Sequence, residues 1–156
     1  MSYKKLSKNI KGFKLEWEGD NIFPNYPNTS GSYVSQKRIN KVKNIVINIL
    51  VEEEEKILNA FKTLAKKKYK NKKIKIELNL NLALNKVNNT FISKFNDDLH
   101  GESDDNKIWI SRNKLNDQEL VGTILHESLH YICTFNSNDI CSKDEHYVMN
   151  ILGDNC

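Results

Sequence analysis

Two histidines and a glutamate lie within one five-residue stretch and have the spacing of a metal site. The stretch reads His126-Glu127-Ser128-Leu129-His130. If it is helical, residues four apart lie on one face, one turn above the other, and the two imidazoles converge. Zinc takes nitrogen ligands at about 2.0–2.1 Å, so the pair could bind one ion without bending the backbone. The spacing therefore predicts that His126 and His130 bind Zn²⁺.

Glu127 is the candidate catalytic base of this site. On a helix it projects roughly 100° away from His126, which makes it a poor third ligand. That direction places its carboxylate beside a water bound to the metal, whose pKa zinc lowers to about 7. We therefore expect Glu127 to accept the proton of that water.

A chance match in a polar sequence is the alternative, because histidines on helices are often surface residues. The surrounding pattern favours the metal site, since apolar residues cover one broad side of the predicted helix and leave the two histidines on the other, beside Gly122 and Cys133. The apolar set is Leu120, Val121, Ile124, Leu125, Leu129, Ile132 and Phe135.

A catalytic zinc site has three protein ligands and an open position, so a third ligand must come from elsewhere. The segment Ser142–Asp154 supplies two candidates. Glu145 shares a helical face with the apolar residues of that segment and is favoured. Ser142 and Glu145 also match a capping box, and if Glu145 only caps, His146 becomes the third ligand.

Further polar residues could assist the site. His146 or Tyr147 could donate a hydrogen bond to the oxyanion that forms when water attacks a carbonyl. Asp154 could orient a metal-bound imidazole. His100 lies in an acidic stretch that lacks calcium-loop spacing, so we interpret it as part of a solvated loop.

The elements before the motif divide into an irregular segment and a folded domain. Residues 1–35 are rich in turn-forming residues, and their scattered aromatics indicate packing across the core. Gln36–Leu50 fits either a helix or a strand. Glu52–Tyr69 has the 1-4-5-8 apolar spacing of an amphipathic helix. The alternating apolar residues of Ile74–Leu84 predict a strand.

The second half predicts the elements that position the motif. Asn96–Asn106 is expected to be an acidic loop, and Lys107–Ser111 a short strand. Asn116 and Glu119 form a capping box that begins the motif helix, predicted to run to about Phe135. Ser142–Leu152 is expected to be a final helix. The order of elements predicts an α+β fold.

Composition predicts a soluble globular protein. The chain has 156 residues, of which 38% are apolar and 28% charged. The longest apolar run, Asn44–Val51, is too short to span a bilayer, and no secretory signal follows Met1. We therefore expect a cytoplasmic protein that does not bind membranes. Cys133, Cys141 and Cys156 are then expected to be thiols, with a single disulfide as the alternative.

The net charge of +4 is concentrated in lysines between Lys66 and Lys75. These lysines could bind the phosphates of a nucleic acid. They also suit the solvated C-terminal end of a helix, where cations are favoured. The second interpretation is preferred, because no nucleic-acid-binding motif accompanies the lysines.

The motif and its flanking elements resemble the zincin metallopeptidases over about residues 74–154. The resemblance implies a small zincin-like domain in residues 36–156, with a short mixed or antiparallel sheet, an active-site helix and a C-terminal ligand helix. Glu145 as third ligand would make the chain similar to a minimal gluzincin, and His146 would make it similar to the SprT-like group. It also implies that Lys107–Ser111 is the edge strand along which an extended peptide substrate binds.

Three functions follow from these expectations. The first is a zinc metallopeptidase that hydrolyses a peptide or protein substrate. The second is a SprT-like, DNA-associated protease tethered through Lys66–Lys75. The third is a non-catalytic binding module in which zinc only pins two helices together.

Overall fold

The fold is a small α+β domain, as the sequence predicts. In the computed structural model, the described residues are 14–18, 21–25, 32–55, 57–59, 61–62, 76–93, 101–104, 106–135 and 138–139. Within them, helices pack with small sheets whose strands are antiparallel or mixed. No helix among these residues combines the length and the apolar character needed to cross a membrane.

Gln36–Leu50, which fits either a helix or a strand by sequence, is helical. It belongs to helix α1, which spans Gln36–Glu52. Ser35 caps its start, because the Ser35 hydroxyl oxygen accepts a hydrogen bond from the Arg38 backbone N–H at 3.3 Å. Burial of one continuous apolar face outweighs the strand preference of its β-branched residues. The buried residues of that face are Ile39, Val42, Ile45, Val46, Ile49 and Leu50.

The predicted helix that begins near Glu52 is confirmed where the structure describes it. Residues 54–55, 57–59 and 61–62 are helical, and Ile57 and Phe61 are buried one turn apart. The remainder of that helix, to Tyr69, lies outside the described residues.

The strand predicted over Ile74–Leu84 is wrong for most of its length. Strand β4 covers only Ile76–Leu78, and helix α2 spans Leu80–Asn88. Asn79 begins the helix, because its side-chain oxygen accepts a hydrogen bond from the Leu82 backbone N–H at 3.1 Å. The alternating leucines fit a strand, but a capped helix that buries Ala83 and Val87 one turn apart is preferred in the fold.

Three short strands form the sheet next to the motif helix. β5 spans Thr90–Ile92, β6 spans Gly101–Ser103 and β7 spans Ile108–Ile110. β7 pairs in parallel with β5 and antiparallel with β6, so it is the central strand. The strand predicted at Lys107–Ser111 is therefore confirmed, but its role as an exposed edge is wrong. The prediction of an acidic loop over Asn96–Asn106 is also wrong at Gly101–Ser103, which form β6.

Strands also occur in the amino-terminal segment that was predicted to be irregular. β1, Lys14–Glu18, pairs antiparallel with β2, Asn21–Asn25. β3, Ser32–Tyr33, pairs antiparallel with β8, Lys114–Leu115, which directly precedes the motif helix. β2 contacts the motif helix as well. Backbone pairing, which composition does not reveal, thus joins this segment to the domain.

The motif helix, α3, spans Asp117–Ser128 and packs against α1, α2, β6 and β7. Arg38 connects α1 to its beginning, because the guanidinium lies 2.8 Å from the Asp117 carboxylate and donates to the Leu115 carbonyl at 2.7 Å. After α3, strand β9, Cys133–Phe135, lies between β4 and β10, Asn138–Asp139. Cys133 is a buried thiol in this part of the chain, and Cys141 and Cys156 lie outside the described residues.

Candidate metal centre

The beginning of α3 is fixed by the capping box that the sequence predicts. The Asn116 side-chain oxygen accepts a hydrogen bond from the Glu119 backbone N–H at 2.8 Å. The Glu119 carboxylate accepts one from the Asn116 backbone N–H at 3.1 Å. The acidic side chains of Asp117 and Glu119 also suit the positive end of the helix dipole.

The end of α3 differs from the prediction of a helix to Phe135. The helix ends at Ser128, and the next backbone bonds span three residues, from Leu129 N to His126 O and from His130 N to Glu127 O. Tyr131 then has φ 65°, in the left-handed region. The chain leaves the helix here because Cys133 pairs with Leu78 as β9 joins β4. His130 therefore lies in a tight turn just after the helix.

The motif side chains nevertheless converge. His126, Glu127 and His130 each present one ligand atom, and these atoms all lie within 4.8 Å of one another. The His126 and His130 ring centroids are 5.4 Å apart with the rings nearly perpendicular, at 71°. His130 Nε2 lies 3.6 Å from Glu127 Oε1. Imidazole nitrogens and a carboxylate oxygen are ligand types that zinc uses, so this buried group could hold a metal ion.

The site is more buried than the sequence pattern indicates. We expected the histidines on the side of the helix away from its apolar face, but every residue from 120 to 130 is buried. The exposed fraction is 0% for His126, 1% for Glu127 and 8% for His130. The pattern is misleading because α3 has helices on one side and the sheet on another. Buried ionisable groups are stabilised by pairing or by binding a metal, which is consistent with a metal centre.

Two residues that sequence reasoning did not select contact the site. Gly101 in β6 lies against α3, since a Cβ atom there would come within 3.3 Å of Glu127 Cγ and 3.2 Å of Thr123 Cγ2. Lys86 in α2 is 0% exposed, and its Nζ donates to the His130 carbonyl at 2.8 Å. A glycine within a strand can indicate such a close approach. The strand predicted over Ile74–Leu84 ends before Lys86 and gave no sign of the helix that carries this lysine.

The other predicted site residues lie outside the described residues. They are Glu145, His146, Tyr147 and Asp154, together with His100 and the lysines from Lys66 to Lys75. The choice of third ligand and the nucleic-acid contact therefore stay predictions. The predicted final helix, Ser142–Leu152, is likewise outside these residues.

Comparison of the chain with protein-family models, with curated proteins and with solved structures finds no match.

Proposed function

We propose that this protein is a zinc-dependent hydrolase that cleaves peptide bonds. The observation that carries the proposal is the buried cluster of His126, Glu127 and His130, with ligand atoms within 4.8 Å of one another. His126 and His130 bind the zinc ion. The third ligand is Glu145, or His146 if Glu145 only caps its helix.

Each residue then has a chemical task. A zinc ion bound here would supply a Lewis acid that polarises the substrate carbonyl and acidifies a water molecule. Glu127 accepts the proton of the attacking water and passes it to the leaving amine. The Glu127 side chain is 2% exposed and its Cγ lies against Gly101, so the carboxylate is held in one place for this transfer.

The sheet favours one edge for an extended substrate. The outer edge of β5 is covered by Gln36, whose Nε2 donates to Thr90 O at 3.0 Å and whose Oε1 accepts from Ile92 N at 3.0 Å. β6 is the opposite end of the sheet in the described part of the chain, and it packs on Glu127 through Gly101. A peptide that adds a strand beside β6 would thus lie next to the base.

The burial of the cluster favours a second candidate. A substrate must reach the metal, yet His126 is 0% exposed and His130 only 8%. In this alternative the protein is a binding module, and zinc stabilises the turn after α3 without catalysis. A closed sphere of four protein ligands would then surround the ion.

Zinc titration of the purified protein tests the proposal. We expect one zinc ion per chain in the wild type and loss of binding in His126→Ala and His130→Ala. His100→Ala, which removes a histidine outside the motif, is the matched control and should bind zinc normally. Absence of zinc binding in the wild type would refute both candidates.

The coordination sphere separates the two candidates. X-ray absorption on the zinc-loaded protein should show three protein ligands and a water oxygen if the protein is a hydrolase. Cleavage of a mixed peptide library, lost in His126→Ala, should accompany that result. Four protein ligands without cleavage would establish the binding module instead.

A further inference from the structure

We propose that helix α2 positions the metal ligand His130 and that Lys86 is the residue chiefly responsible. The inference rests on the proposed function, because it requires His130 to be a metal ligand. Lys86 does not itself bind the ion but positions the residue that does. Lys86 lies 44 positions before His130 in the chain and is fully buried beside it.

His130 lies beyond the end of α3 and needs support from other elements. α3 has ended at Ser128, and the bond from His130 N to Glu127 O is long, at 3.4 Å. Tyr131, the next residue, has φ 65°, a conformation that a bulky side chain rarely adopts. Such a backbone persists only where its surroundings fix it. The direction of the His130 imidazole is therefore not set by a regular helical ladder.

Lys86 supplies one point of attachment. Its Nζ donates to the His130 carbonyl oxygen at 2.8 Å and lies 5.5 Å from the centroid of the Tyr131 ring. An ammonium group taken out of water is costly unless it is hydrogen-bonded, so the lysine holds this carbonyl strongly. A carbonyl at the end of a helix is also where a cation is favoured.

The other end of α2 supplies the second point. The Asn79 backbone N–H donates to the Ile132 carbonyl at 2.6 Å. Asn79 is itself held, because its side chain caps α2. Groups at the two ends of α2 thus donate to the carbonyls of His130 and Ile132, the residues on either side of Tyr131. α2 also packs against α3. α2 therefore fixes the turn that carries His130 relative to α3, which carries His126.

A site whose ligands are already in place binds metal more tightly, because less freedom is lost on binding. Loss of Lys86 should release the turn and weaken zinc binding. Residues that orient metal ligands from the second layer typically contribute roughly 10- to 100-fold in affinity.

The test is Lys86→Met, which keeps the length and apolar stem but removes the donor. Val87→Ala is the matched control, since Val87 is the adjacent residue of α2 and is 0% exposed. We would measure zinc affinity by chelator competition, the visible spectrum of the cobalt-substituted protein, and unfolding of the metal-free protein. We expect Lys86→Met to bind zinc at least about tenfold more weakly with a changed cobalt spectrum. Val87→Ala should lose stability but keep wild-type affinity and spectrum.

Equal zinc affinities in Lys86→Met and Val87→Ala would overturn the inference while leaving the metal site intact. Failure of the wild type to bind zinc would instead refute the proposed function, and the inference with it. If Lys86→Met does not fold, Lys86→Arg takes its place. The larger guanidinium must displace the His130 carbonyl, so we expect weaker zinc binding and a changed cobalt spectrum. An affinity and spectrum unchanged from wild type would then show that residue 86 does not position His130.

Discussion

The ring centroid of His130 lies 5.4 Å from that of His126, although the helix that carries His126 ends before His130 is reached. The tight turn after Ser128 replaces the missing helical turn and returns the second imidazole towards the first. Because the turn does not extend the helix, His130 is placed by contacts with other elements. The convergence of the two histidines is thus a tertiary property of the fold.

Replacing Glu127 with glutamine should separate metal binding from catalysis. The amide keeps the shape of the side chain but cannot accept the proton of water. We expect zinc binding close to wild type and peptide cleavage reduced by roughly 10²- to 10⁴-fold. Zinc titration and a cleavage assay on the same samples measure both. Glu54→Gln, at an exposed helical position outside the motif and the sheet, is the control and should cleave normally. Full activity of Glu127→Gln would exclude Glu127 as the base.

Replacing Gly101 with alanine should destabilise the protein. The added Cβ would lie 3.1 Å from the Trp109 carbonyl oxygen as well as close to Thr123 and Glu127. Because one neighbour is a backbone atom of β7 and the other two are buried side chains of α3, they must shift by a few tenths of an ångström, and we expect a cost of about 1–3 kcal/mol in the free energy of unfolding. Urea denaturation measures the change. Ser103→Ala in the same strand should have little effect, and equal stability of the two variants would contradict the close packing.

Asn116 and Glu119 should act as a coupled pair in stability. Asn116→Ala removes the cap of α3 and should lower the free energy of unfolding by about 1 kcal/mol. Glu119→Ala breaks the reciprocal bond, so the double variant should lose less than the sum of the two single variants. Thermal or urea unfolding of the wild type and the three variants completes the cycle. Strict additivity would show that the two hydrogen bonds form independently.

Gln36 should protect the outer edge of β5. Gln36→Leu removes both bonds to the strand backbone and should cost about 1 kcal/mol, because a strand donor and acceptor lose their partner. It should also promote concentration-dependent association through the uncovered edge, which size-exclusion chromatography with light scattering detects. Asn40→Ala is the control, since it removes only the contact between Asn40 and the Gln36 amide, 3.1 Å long. If both variants remain equally stable and monomeric, this function of Gln36 is refuted.

Sequence patterns predicted the features that depend on near neighbours. The capping box of Asn116 and Glu119 lies within one helical turn, and the residues that identify β7 as a strand are consecutive. Both features were therefore predicted correctly. The histidine spacing also predicted that His126 and His130 converge, but it assumed a longer helix, and the turn that brings them together depends on contacts with other elements. Local chemistry of this kind is visible in a few consecutive residues.

The features that sequence missed depend on contacts distant in the chain. The leucines after β4 alternate as in a strand, and the Asn79 cap together with burial against α1 and α3 favours the helix that forms. The end of α3 is set by the pairing of Cys133 with Leu78, which no local pattern reports. The expected edge strand became central because β5 and β6 flank it. Propensity is a weak guide wherever tertiary contacts decide.

The bond between Lys86 and His130 joins positions 44 residues apart, and this separation affects the order of folding. Closing a loop of that length costs chain entropy before the contacts between its ends can form and offset this cost. The second ligand can reach its final place only after α2 and the turn have docked. A metal that binds this arrangement therefore binds a chain that is already assembled. We expect it to slow the rate of unfolding and to leave the rate of folding nearly unchanged.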